Sequence, residues 1–237
     1  MPGNNSVRRN GCKDVWNAFM VQGDSFTEND IPFCLTTAEK APHSIIAWDE
    51  AKAIYKKNRI KGDLNYPAYV CWYTDDYKFD GSRGIWHNCN FALKVLSHFA
   101  GAITPDFSTY QDFPEPWKLY NTYRMRAYGY WLGKNGIKVI NNVRWGTAET
   151  YRYCFDGIPK NSIVAIGTCG GSPRKLTDRN RFEDGLSEMT KRLKPHTIIA
   201  YGSAKYECFE KLKEKGIKII DFPSQTARAF ERRSVNE

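Results

Sequence analysis

Short apolar runs alternate with amphipathic stretches along most of this chain, and that alternation constrains the fold more than any other feature. SIIAW (44–48), AYVCWY (68–73), the AITPDFS segment after Gly101, IKVIN (137–141), SIVAIG (162–167), TIIAYG (197–202) and IKIIDF (217–222) are seven strand candidates. Between them lie segments with helical spacing: DEAKAIYKK with Ala51, Ile54 and Tyr55 on one face, and NFALKVLSHFAG with Ala92, Val95, Leu96 and Phe99. A long helix is predicted from about Pro116 to Leu132, followed by TAETYRYCF, DRNRFEDGLSEMTKRL and AKYECFEKLKEKG. Strands that are apolar without alternation are buried on both faces, which is the signature of a parallel sheet covered by crossover helices.

The fold expected is therefore α/β, a parallel βα repeat. Seven strands with six helices between them come close to the eight units of a closed barrel, so a TIM-barrel-like form, complete or distorted, is the first expectation. A doubly wound open sheet is the alternative. The rhythm begins only at His43, so residues 1–40 are read as an N-terminal arm or loop packing on the body. Residues 41–237 are read as a single barrel-like domain, with TARAFERRSVNE as a basic final helix.

Composition narrows the setting. The chain has 237 residues, and no apolar run approaches the length of a membrane span. Arginines near the start have no apolar stretch behind them, so no signal peptide is expected. Seven cysteines, an odd number without a CxxC pair, suit a reducing cytoplasm better than a disulfide framework. The net charge of +9 is unevenly spread: residues 1–110 carry 12 basic and 12 acidic groups, whereas residues 111–237 carry 23 and 14. The excess lies entirely in the second half. It fits a polyanion or a phosphorylated small molecule as partner, and equally a set of solvated lysine-rich helix faces.

In a parallel sheet the chemistry belongs in the loops at the carboxyl ends of the strands. Those ends carry Asp49, Thr74 to Asp76, Asp106 with Ser108, Asn142 with Arg144 and Trp145, Thr168 to Ser172, Tyr201 to Ser203, and Asp221 with Ser224. The GTCGGSPRK segment (167–175) puts glycines directly after a buried strand and basic residues behind them. Backbone N–H groups there suit a phosphate or nucleic-acid backbone. The candidate phosphate-binding set is Gly170, Gly171, Ser172, Arg174, Lys175, Arg179, Arg181, Tyr201 and Ser203. The same residues also read as a glycine turn before a basic helix start. Neither a Walker loop nor a dinucleotide fingerprint is present.

Asp106, Asn142 and Arg144 form the candidate catalytic set. Asp106 reads as a general base or metal ligand, or as a helix-cap or loop-turn residue; Asn142, Arg144 and Trp145 read as a reader of a flat ligand, or Arg144 as a structural arginine paired to an acid across the strand ends. No metal site or cofactor motif is complete; Asp75 and Asp76 beside Asp106 leave a divalent ion open as a cofactor. Cys169 next to two glycines is a nucleophile candidate or an inert thiol. His87 and Cys89 make only half a metal site.

Several strings stand together in order: FTENDIPFCL, FDGSRGIWHN, GAITPDFS, NNVRWG and SIVAIGTCGG. Together they resemble the domain-of-unknown-function family 4417, an uncharacterised bacterial group found largely in phages and mobile elements. The resemblance spans roughly residues 25–225 and carries no assigned activity. It implies a phage or mobile-element accessory protein working in the cytoplasm of a bacterial host. Combined with the charge asymmetry, the expected partner is nucleic acid or a nucleotide, engaged through a basic strand-end cleft without a membrane. Two other readings stand beside it: a small-molecule enzyme acting on a carboxylate or sugar-like substrate, and a non-catalytic inhibitor that binds a host defence protein; a host or phage protein is the second partner class expected.

Overall fold

The computed structural model describes residues 13–58, 65–168 and 176–234. Seven strands form one parallel sheet: β1 (Ile45–Ala47), β2 (Tyr66–Cys71), β3 (Phe99–Ile103), β4 (Val139–Asn142), β5 (Ile163–Gly167), β6 (Thr197–Tyr201) and β7 (Lys218–Phe222). Six helices accompany them: α1 (Trp48–Asn58), α2 (Cys89–Leu96), α3 (Glu115–Lys134), α4 (Leu176–Leu193), α5 (Glu207–Glu214) and α6 (Gln225–Ser234). Among these described residues no helix is long and apolar enough to cross a membrane.

The strands are hydrogen-bonded in sequence order from β1 to β7, every neighbouring pair parallel. A doubly wound sheet needs a point where the strand order reverses. None occurs, so that alternative is corrected. With one hand of crossover throughout, the helices cover one face and the sheet curls around the other. The curl stops short of a closed barrel, because β1 and β7 are not paired in the described sheet. The result is a half-barrel, the distorted form of the expectation.

Alternation along each strand divides the core. Outward side chains such as Val70, Trp72, Ala102 and Val139 pack under α1 to α3, and Val164, Ile166, Ile198 and Ala200 pack under α4 and α5. Inward side chains (Ile45, Tyr69, Cys71, Ile103, Ile140, Ile163, Ala165, Ile199 and Tyr201) fill the hollow of the curl. Two glycines give the tyrosines room there. A Cβ on Gly101 would lie 2.5 Å from Tyr69, and one on Gly167 would lie 2.8 Å from the ring of Tyr73. The Tyr73 and Tyr201 rings stack, 5.1 Å apart and 20° from parallel, across the top of this hollow.

The gap between β7 and β1 is bridged by side chains from α6. Gln225 Nε2 donates to Asp49 Oδ2 at 3.2 Å, and Arg228 Nη2 pairs with Glu50 Oε2 at 2.7 Å. The backbone N–H of Gln225 donates to the Tyr201 hydroxyl at 2.9 Å. Lower down, the segment before β1 runs beneath the sheet. Thr37 N and Ala38 N donate to Val139 O, the Asn141 amide donates to Cys34 O, and Ala38 joins the inward cluster.

One expected helix is corrected. TAETYRYCF forms only a short 3₁₀ turn, Ala148–Arg152. Thr150 explains it: its hydroxyl donates to Thr147 O at 2.7 Å and accepts from Gly146 N, so the side chain competes for the groups an α-helix would pair. The long α3 is instead anchored by Arg126, which is fully buried. Its guanidinium donates to the carbonyls of Asp156 (2.9 Å), Asn142 (3.1 Å) and Cys154 (3.0 Å), tying the helix to the end of β4 and the loop beyond it.

Candidate functional site: a cleft at the strand ends

A cleft of about 430 Å³ opens where β3, β4 and β5 end and α4 begins. That size lies within the range of small-molecule sites. Its walls are the loop after β3 (Asp106, Thr109, Tyr110, Gln111, Asp112), the loop after β4 (Val143 to Gly146), the end of β5 (Ile166, Gly167) and the first turns of α4 (Asp178, Arg181, Phe182). The two loops meet closely at Gly146, where a Cβ would lie 2.9 Å from the Thr109 carbonyl.

A hydrogen-bonded chain runs from the interior to this wall. The Tyr73 hydroxyl donates to Asn142 Oδ1 at 2.9 Å, Asn142 Nδ2 donates to Asp106 Oδ1 at 2.8 Å, and Arg144 Nη1 donates to Asp106 Oδ2 at 2.5 Å. Both carboxylate oxygens of Asp106 are thereby engaged. Arg144 is less fully used: its Nε and Nη2 donate to no described residue, and its guanidinium carbon lies 5.6 Å from the centre of the Tyr110 ring. Thr109 adds a second open group. The residue is 3% exposed and its hydroxyl has no hydrogen-bond partner among the described residues. Burial, reinforced by the nearby Asp106 charge, holds the Tyr73 phenol well above its ordinary pKa, so it stays a donor to Asn142.

The loop carrying Asp106 is braced from beneath. Asp76 accepts from the Ser108 hydroxyl (2.9 Å) and backbone N–H (3.3 Å), and Asn121 on α3 donates to the Ser108 carbonyl at 2.5 Å. Arg124 makes two 2.9 Å bonds to Asp80 and lies 3.9 Å from the centre of the Phe107 ring. Burial raises the Asp76 carboxyl, with the two Ser108 bonds and Arg144 acting against the shift.

Of the residues singled out in the sequence, Asp106, Asn142 and Arg144 are brought into direct contact, and Arg181 lines the same cleft, 3.8 Å from Asp178. Arg179 is exposed on α4 and Ser203 is exposed beyond β6, where its hydroxyl accepts from Lys205 N. Tyr201 is 1% exposed, stacked on Tyr73 and bonded to Gln225, so it belongs to the interior layer. Gly170, Gly171, Ser172, Arg174 and Lys175, with Cys169, lie outside the described residues. The Trp145 indole is occupied by packing: it contacts Phe155 and Phe182, and a Cβ on Gly185 of α4 would overlap it.

Asp75 and Asp76 sit on an irregular turn after β2, not in an extended strand; Asp75 pairs with Lys78 and Asp76 with Ser108. No group of three or more His, Cys, Asp or Glu among the described residues is placed to hold a metal ion. Cys89 is buried at the start of α2 and its thiol is raised by burial, whereas His87 is exposed. Sequence reasoning missed Thr109, Tyr110 and Asp112. The signal was present in TPDFSTYQD, a polar segment after a buried strand, but read only as far as Ser108.

Several basic side chains of the second half pair locally, and all but one of these pairs use acids already counted in its net charge. Lys191 and Arg192 pair with Glu188, Lys211 with Glu207, Lys213 with Glu210, and Arg228 with Glu50.

Comparison with known proteins gives a consistent relationship without a chemistry. Residues 24–223 match the family model described as a domain of unknown function, DUF4417. The chain is 36% identical over 196 residues to a Gene 1 protein of Mycobacterium phage L5, covering 83% of this chain and 80% of that protein. It is 35% identical over 135 residues to a Gene 1 protein of Mycobacterium phage D29, covering 57% of this chain and 48% of that one. No solved structure gives a significant match.

Proposed function

The chain belongs to the DUF4417 family, with relatives encoded by phages, and from that premise we propose that it binds a phosphate-bearing small molecule of nucleotide size in the strand-end cleft. The observation that carries this reading is the state of Arg144. A guanidinium with 22% of its side chain exposed borders a cleft, is fixed on one side by Asp106, and leaves its Nε and Nη2 donors unused among the described residues. Planar guanidinium groups held this way are suited to bidentate recognition of phosphate. Arg181 supplies a second positive charge, Thr109 an unpaired hydroxyl, and Tyr110, 48% exposed, an aromatic face.

Nucleic acid is the less favoured partner, because the unused donors of Arg144 border a cleft of small-molecule size. Asp106 acts here as the group that orients Arg144. The body from residue 41 onward serves as one domain with the preceding arm packed on it, at work in the cytoplasm of the bacterial host.

The test is calorimetric titration of the full chain with inorganic phosphate, nucleoside mono-, di- and triphosphates, and short single- and double-stranded DNA and RNA across a salt series. Saturable nucleotide binding that Arg144→Ala weakens strongly but measurably, and Arg181→Ala weakens less, is the expected result. Steeply salt-dependent oligonucleotide binding indifferent to Arg144→Ala would transfer the function to a polymer surface. Absence of binding to every ligand would refute the proposal.

A further inference from the structure

Arg144 is held in place by a residue that never reaches the cleft wall. We propose that Tyr73 is a positioning residue for the anion-binding guanidinium, acting through Asn142 and Asp106; this rests on the reading of Arg144 given above.

The argument starts from the amide of Asn142. Its side chain is completely buried on β4, and its two ends make different demands. Oδ1 accepts only hydrogens and Nδ2 only donates them, so the neighbours decide which end faces Asp106. Asp106 decides it, because a carboxylate only accepts and so takes Nδ2 at 2.8 Å; the Tyr73 phenol, kept protonated by burial, then donates its hydrogen to Oδ1 at 2.9 Å and pins the far end of the amide. With the amide reversed, Oδ1 would face the carboxylate, two acceptors without a hydrogen between them. The backbone of Asn142 is fixed independently, by a bond from its N–H to Thr104 Oγ1 at 2.8 Å and by Arg126 on its carbonyl at 3.1 Å. The amide is then held at both ends: Nδ2 by Asp106 and, at 3.4 Å, by the Pro105 carbonyl, and Oδ1 by the Tyr73 hydroxyl.

Asp106 inherits the order. One oxygen is taken by Asn142, leaving the other to Arg144 at 2.5 Å, so the guanidinium is presented with a defined edge toward the cleft. Tyr73 itself has little freedom. Tyr201 stacks against one side of its ring and the bare Cα of Gly167 admits the ring edge at the cleft floor. The chain from Tyr73 to Arg144 thus links the interior layer of the sheet to the binding group by three consecutive hydrogen bonds. A preorganised donor binds more tightly than a mobile one with the same charge, because the ordering cost is already met.

Tyr73→Phe keeps the ring, its stack and its fit against Gly167, and deletes only the hydroxyl. Two measurements test it. In nitrogen–proton correlation spectra of the full chain without ligand, the Arg144 Nε–H signal, assigned by its loss in Arg144→Lys, should be sharp in the parent and broadened or shifted in Tyr73→Phe. In titration with the nucleotide that the parent binds, Tyr73→Phe should lose roughly three- to tenfold in affinity, the scale of one hydrogen bond. The same substitution in an Arg144→Ala background should change affinity by less than about twofold, since coupled residues are not additive.

An unchanged Arg144 signal together with parent-like affinity would overturn the positioning role and leave the binding site standing. An equal loss with and without Arg144 would also overturn it, because Tyr73 would then act elsewhere. A perturbed Arg144 signal in a parent that binds no nucleotide would keep the mechanical link and refute the anion-binding reading it serves.

Discussion

Replacing Arg126 by methionine is the sharpest test of how α3 is joined to the sheet. The guanidinium is fully buried and hydrogen-bonded to three backbone carbonyls, those of Asn142, Cys154 and Asp156. Burial pushes its pKa down from 12.5 to about 10, with the neighbouring Cys34, Cys154 and Asp156 acting in the opposite direction. At 1.36 kcal/mol per pKa unit, that shift sets the cost of keeping the charge inside at about 3 kcal/mol. Methionine removes this cost and fills most of the volume, but it orphans three buried carbonyls at about 1–3 kcal/mol each. The mid-range sum, about 6 kcal/mol lost against about 3 recovered, predicts a net destabilisation of about 3 kcal/mol. For a chain of this size, each kcal/mol moves the melting temperature by roughly 2–4 °C, so the variant should melt about 6–12 °C lower. Urea unfolding of the parent, Arg126→Met and Arg126→Lys measures it directly. Lysine should fall between the two, since one ammonium cannot span all three carbonyls. A methionine variant within about 1 kcal/mol of the parent would refute the reasoning: the three bonds would then contribute nothing beyond the cost of burying the charge.

Two further outcomes follow from local geometry. Gly185→Ala should destabilise by about 1–3 kcal/mol in thermal melts, despite the roughly 1 kcal/mol gain in helix propensity, because a Cβ there overlaps the Trp145 indole; stabilisation would show that the indole yields freely. Asp24 tests the loop before Pro32. Burial raises its carboxyl from 3.8 to about 6, opposed by backbone N–H groups of Ser25 and Phe33 and by the Lys134 charge. The folded state therefore holds this proton more firmly than the unfolded one, and the contribution of Asp24 to stability falls as pH rises from about 4 to about 6 and stays low above that. Asp24→Asn should flatten this part of the melting-temperature profile and compare more favourably with the parent at pH 7 than at pH 4; parallel profiles would contradict it.

The strands were legible because most are buried on both faces, which leaves continuous apolar runs such as SIVAIG and TIIAYG in the chain; β7, at the seam, is only half-buried. Their order was not legible, since a sequential sheet and a reversed one use the same strand–helix alphabet. Asp106 and Arg144 were found by position alone: both follow strand ends, and parallel sheets converge there. An acid across the strand ends was one expected partner for Arg144; that this acid is Asp106 was not legible, because it depends on a loop held in shape by Asp76 and Asn121, 32 and 13 residues from Ser108 in the chain. Tyr201 illustrates the opposite error. It ends a strand like the others, but the parity of β6 turns its ring inward beneath Tyr73. Gly167 carries two readings at once. Its sequence context suggested an anion loop, whereas its missing Cβ is used on the inner face to seat Tyr73.

That use of Gly167 explains how seven strands suffice where a barrel has eight. A curled sheet with an open seam must still exclude water from its inner face, and the aliphatic side chains of Ile103, Ile140, Ile163 and Ile199 fill only the middle of the hollow. The upper layer is closed by two large rings: Tyr73 reaches across from β2 to Tyr201 on β6, and Tyr201 in turn meets the start of α6, which bridges the seam through Glu50 and Asp49. The rings that cap the hollow therefore lie directly behind residues that border the cleft, Tyr73 against Gly167 and, through Asn142, against Asp106. A closed barrel separates these tasks, with a packed interior below and loops above. Here the phenol that completes the core also pins the amide that bonds to Asp106, so a substitution that loosens the seam at Arg228 or Gln225 is expected to reach Arg144 through packing and hydrogen bonds, without altering any residue of the cleft.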